Sequence, residues 1–121
     1  MFKVSGRYLI TDDFDIVFYE QPDVADGIVF KRCMTSQFPL SMTQVPLQYM
    51  SRLWSFPASL VGEVTDTFRK MLSFMIERVN AGDYVGIEHC PYKFMDPGRI
   101  LELDRVGITG NLGATGSPIA D

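Results

Sequence analysis

The stretch PASLVGEVTDTFRKMLSFMIERVNAG, from Pro57 to Gly82, constrains this chain more than any other. Leu60, Val61, Val64, Phe68, Met71, Leu72, Met75 and Val79 recur at intervals that place them on one face of a helix. Glu63, Asp66, Arg69, Lys70, Ser73 and Glu77 occupy the opposite face. Pro57 opens the pattern and Gly82 supplies a stop. The spacing therefore predicts a helix from about residue 58 to 80. A helix of this kind must lay its apolar face against something, and the flanking sequence offers strands.

Phe2, Val4, Tyr8 and Ile10 alternate with Lys3, Ser5 and Arg7, which reads as strand. FDIVFYE (Phe14 to Glu20) and IVFKRCM (Ile28 to Met34) are rich in β-branched and aromatic residues and read as two more. FPLSMTQ (Phe38 to Gln44) alternates as well, with Pro39 assigning it to a sheet edge or to an extended loop. PLQYMSRLWSF, from Pro46 to Phe56, carries Leu47, Met50, Leu53 and Trp54 at helical spacing and reads as a short helix. DYVGIEHCPYKFM and RILELDRVGI flank the turn sequence Asp96-Pro97-Gly98 and read as a hairpin. Strands, helices and strands in that order predict an α+β fold, an antiparallel sheet with one long and one short helix packed on one face. Residues 1–109 form that single domain. Residues 110–121, with glycines at 110, 113 and 116, form a flexible Gly-rich tail.

Composition narrows the classes of function. The chain has 121 residues, 46% of them apolar and 21% charged, so it can bury a core without staples. Net charge is −4 and no basic block stands out, which argues against nucleic acid as a partner. No apolar run approaches a bilayer's thickness, and the first ten residues carry Lys3 and Arg7 rather than an apolar leader. Cys33 and Cys90 form no CxxC and are expected as free thiols, which suits a cytoplasmic protein without membrane contact.

VGIEHCPYKF, from Val85 to Phe94, places the single histidine of the chain, His89, between Glu88 and Cys90. Acid, imidazole and thiol together are the vocabulary of catalysis. On a strand, however, neighbours point to opposite faces. With Asp96 opposite Arg99, Lys93 faces Glu102, Cys90 turns to the core beside Tyr92 and Leu103, and His89 turns outward near Asp104. A Cys–His nucleophile needs the two groups within hydrogen-bond reach, which adjacent strand positions do not supply. The catalytic candidate that survives is His89 with Asp104, or with Glu102, as an acid/base pair.

Asp12, Asp13, Asp15, Asp23 and Asp26 sit in turn-like loops without the glycine and glutamate of an EF-hand, so no metal site is assigned. No phosphate loop, zinc pattern or serine-nucleophile motif occurs, and no cofactor is implied. The seven methionines and nine phenylalanines read as core that could also line an apolar pocket. Adding Phe74 and Ile76 to the long helix widens its apolar arc to about 200°, twice what one sheet needs. The excess, with Trp54 of the short helix, predicts a homodimer interface containing Trp54, Phe74 and Ile76. The function expected from this reading is a non-catalytic binding or interaction module, homodimeric, for a protein partner or a small apolar ligand.

Overall fold

A computed structural model describes residues 1–113 and 115–121 of the chain. In chain order the elements are β1 (Phe2–Val4), β2 (Tyr8–Ile10), α1 (Ile16–Tyr19), α2 (Pro22–Ala25), β3 (Ile28–Lys31), β4 (Met34–Thr35), α3 (Leu40–Thr43), β5 (Leu47–Gln48), β6 (Leu53–Ser55), α4 (Val61–Asn80), α5 (Cys90–Phe94), β7 (Ile100–Leu103), β8 (Ile108–Asn111) and β9 (Pro118–Ala120). The fold is α+β, with one long helix set against several short strands.

The central sheet has the order β1-β6-β3-β7. β6 is antiparallel to both β1 and β3, while β3 and β7 run parallel, with Ile28 opposite Ile100 and Lys31 opposite Leu103. A second sheet, β2-β8-β9, is antiparallel throughout, and β4 pairs with β5 as a short ribbon.

β6 explains how the layers stack. Trp54 joins Phe30, Met71, Val64, Leu60 and Phe74 in the main core under α4. Its neighbour Leu53 joins Val106 and Ile108 in a second core, with Tyr8 and Phe14 packed against it. Successive strand residues point to opposite faces, so one strand feeds both cores. Complete burial of Met71 contributes about 1.5–3 kcal/mol, and Val64 and Phe74 from the same face add comparable amounts.

The long helix lies where its period places it, preceded by a single 3-10 turn at Ala58–Leu60. It ends at Asn80, and Gly82 just beyond, with a φ of +81°, lets the backbone turn back. One charged side chain lies on its buried face. Arg78 donates to the Met42 carbonyl from Nε (3.3 Å) and from an Nη (3.0 Å), and pairs with Asp83 at 2.5 Å. That clamp holds α3 against the end of α4.

Elsewhere the local readings give way to tertiary ones. Phe14 to Glu20 is not a strand: Asp15 accepts the Val17 and Phe18 amide hydrogens at 3.0 and 3.2 Å and caps α1 instead. Phe38 to Gln44 holds α3, entered from Pro39. The expected short helix from Pro46 to Phe56 is β5 and β6, because Leu53, Trp54 and Ser55 are buried on both sides of a sheet. The final hairpin is absent. Residues 83–89 form loop and turn, Pro91 enters α5 at a first-turn position, and β7 pairs with β3.

The segment expected as a flexible tail from residue 110 contains the end of β8 and the whole of β9. Thr109 pairs with Ala120, and Asp121 exchanges two 2.9 Å backbone hydrogen bonds with Ile108. The Asp121 carboxylate, nearly buried, accepts from both Lys31 and Arg52. Ala114, which belongs to the same expected segment, lies outside the described residues.

Candidate functional site

His89 sits at the start of α5, and its surroundings decide what it can do. The side chain is 1% exposed, not outward-facing as strand alternation implies. The Gly86 amide donates to Nδ1 at 3.2 Å, which makes Nδ1 an acceptor. The proton therefore sits on Nε2 and points at the Ser36 oxygen, 2.8 Å away. Ser36 in turn donates to the Phe38 carbonyl (2.8 Å) and accepts the Phe38 amide hydrogen (3.1 Å). A serine activated by histidine needs the reverse arrangement, with a bare Nε2 facing the hydroxyl. The network is closed and holds an imidazole in its neutral form. Burial lowers the His89 pKa, opposed in part by the Glu88 charge.

Neither proposed acid reaches this histidine. Asp104 is exposed and pairs with Arg32 at 3.0 Å. Glu102 accepts the Tyr49 hydroxyl at 2.8 Å. The pairing of His89 with Asp104 or Glu102 rested on the hairpin, and it goes when β7 joins β3. Lys93, expected opposite Glu102, instead places its ammonium 4.8 Å from the centre of the Phe74 ring.

The thiols are equally quiet. Cys90 is fully buried, its sulfur 3.7 Å from the Gly86 carbonyl, and burial pushes its pKa up to about 11. Cys33 is raised too, by burial first and then by Glu102. A nucleophilic cysteine needs the opposite shift. Among the described residues no group of three or more His, Cys, Asp or Glu side chains is placed to hold a metal ion. No described helix is long and apolar enough to cross a membrane.

The outer side of α4 is different. Two of the three residues expected at an interface belong to the core. Trp54 stacks on Phe30, Phe56 and Phe68 at 5.1, 5.3 and 5.9 Å. Phe74 is buried edge-on against Phe94 at 5.5 Å. Ile76, by contrast, is 52% exposed, with Leu72 at 60% and Val79 at 63%. Val61 and Phe68 are exposed on the same side. An open groove of about 480 Å³ runs there, lined by Phe68, Met71, Leu72, Met75 and Ile87 together with Thr65 and Arg69.

The sequence pattern merged two stripes into one. Val64, Thr67, Met71, Phe74 and Arg78 face inward, while Val61, Phe68, Leu72, Ile76 and Val79 face out. The signal that separates them was present as Arg78 and Thr67, polar residues that mark the true inner face only once their partners are known.

Comparison of the chain with protein-family models, with curated proteins and with solved structures finds no match.

Proposed function

We propose that this protein is a non-catalytic interaction module that works as a homodimer, meeting its partner through the outer face of α4. One observation carries the reading: a continuous apolar stripe, exposed over the whole length of the longest helix. Its exposed side chains amount to roughly 400 Å² per copy, within the range of the largest apolar patch on a soluble chain, which is often a functional surface. Two such faces together approach the lower range of specific interfaces once Thr65, Met75 and Ile87 are added. The closed His89 network and the raised thiols of Cys33 and Cys90 favour this reading over an acid/base or nucleophilic enzyme. We further propose a cytoplasmic setting, since both cysteines are free thiols.

Light scattering on the full chain at micromolar concentration tests the proposal. A mass of twice 13.7 kDa is expected. A monomer throughout that range refutes the homodimer.

A further inference from the structure

The exposed residues of α4, with the half-buried Met75 among them, do more than form a patch. Val61, Thr65, Phe68, Leu72, Met75 and Val79 are spaced by four, three, four, three and four residues. That is the 3.5-residue repeat by which one helix packs knobs into the holes of another. The buried residues of α4 lie on the adjacent side of the helix, so the seam is additional to the one the sheet already uses.

The spacing also reads the same from either end. Reversal about residue 70 exchanges Val61 with Val79, Thr65 with Met75, and Phe68 with Leu72. A two-fold axis perpendicular to the helix would bring these pairs face to face, so the patch is its own complement. The residues beside the seam agree. Gly62 and Ile76 flank it on the outer side, symmetric about Arg69. A Cβ at Gly62 would meet nothing, so open space stands where the partner's bulky Ile76 would arrive. Arg69 pairs with Asp66 at 2.8 Å, which lessens the repulsion of two arginines meeting at the axis. The antiparallel sense also aligns the two helix dipoles favourably.

We infer that the homodimer is an antiparallel pair of α4 helices joined along this seam, each Phe68 packing on the partner's Leu72 about a two-fold axis near residue 70. The inference rests on the homodimer reading above and adds the surface and its direction.

Two measurements separate the claims. Leu72→Glu changes an exposed side chain and should leave the circular dichroism spectrum intact. It should raise the dimer dissociation constant roughly 100-fold or more, because the carboxylate enters the seam unpaired. Lys70→Glu, on the polar face, should leave the dimer as it is. For direction, a mixture of Val61→Cys and Val79→Cys chains should form an interchain disulfide under mild oxidation, while Val61→Cys alone should not. Unaltered protein controls for Cys33 and Cys90. A wild-type chain that stays monomeric overturns both the module's dimer and the helix pair, and leaves the groove to another protein or an apolar ligand. A dimer that survives Leu72→Glu keeps the homodimer and overturns the seam. Ready self-crosslinking of Val61→Cys overturns the antiparallel direction.

Discussion

Protonating His89 should loosen the fold, and the geometry sets how much. Nδ1 already accepts the Gly86 amide hydrogen, so a second ring proton would meet a donor head-on inside the core. The folded chain therefore holds the imidazole neutral while the unfolded chain protonates it around pH 6.5. Because the folded pKa is depressed, the contribution is fully present above pH 6.5 and is lost as pH falls toward the folded value. The slope cannot exceed about 1.4 kcal/mol per pH unit. Over the unit from pH 6.5 to 5.5 the loss should reach about 1 kcal/mol while the folded ring stays neutral, or about 3–6 °C in melting temperature for a domain of this size. Other groups titrate in the same window, so the comparison is with His89→Gln. The amide can accept from Gly86 and donate to Ser36 but carries no titrating proton. It should be less stable than wild type by about 1 kcal/mol at pH 7.5 and draw level near pH 5.5. Calorimetric melts of the two chains at half-unit steps read the difference directly. Parallel stability profiles would refute the assignment of a neutral, Nε2-protonated His89.

Two further changes probe the second sheet. Gly107→Ala drives a Cβ into the Phe14 backbone nitrogen at a φ of +73°, and should cost about 2 kcal/mol or more in urea denaturation. Asp121→Asn removes the charge that pairs with both Lys31 and Arg52 and turns an amide donor toward one of them, and should cost about 3 kcal/mol. Burial alone raises the Asp121 carboxyl, but the hydrogen bonds from Lys31 and Arg52 outweigh it and hold its pKa below 3.8. Its contribution should therefore persist above that value and vanish as pH falls through the folded pKa, with Asp121→Asn insensitive over the same range.

The long helix was legible because twenty residues give a 3.6-residue period room to repeat. The strands here are two to four residues long, too short for alternation to be told from accident. Leu47, Met50, Leu53 and Trp54 fit a helix on spacing alone, yet they lie on β5 and β6 and the loop between them, where the sheet buries Leu53 and Trp54 on opposite faces. The stretch around His89 failed for a related reason. Tyr92 and Phe94 alternate as a strand would, but Pro91 suits the first turn of α5, and the intended partner β7 had a better neighbour in β3, about 70 residues earlier in the chain. The side chain that strand alternation turned to solvent is thereby enclosed. The tail misled through its glycines, which suggested mobility, while its anchoring residue is the aspartate at position 121.

The order of the strands also dictates when this protein can fold. β1 waits for β6, β2 for β8, and β3 for β6 on one edge and β7 on the other, so each sheet is complete only after a closure of about fifty to a hundred positions. During synthesis the β1-β6-β3 strands can pair once residue 55 has emerged, but α4, which covers their core face, and β7 and β8 come later, and α4 is the one long element able to form from local contacts. Loop closures of this length place folding nearer the millisecond-to-second regime of β-rich domains than the microseconds of helical bundles. Stopped-flow fluorescence of Trp54, the single tryptophan, watches the closure itself, because that ring is buried only when β6 meets both β3 and α4. Until then its hydrophobic strands are unpaired, and a nascent chain of this protein is an object for chaperones before it is a domain.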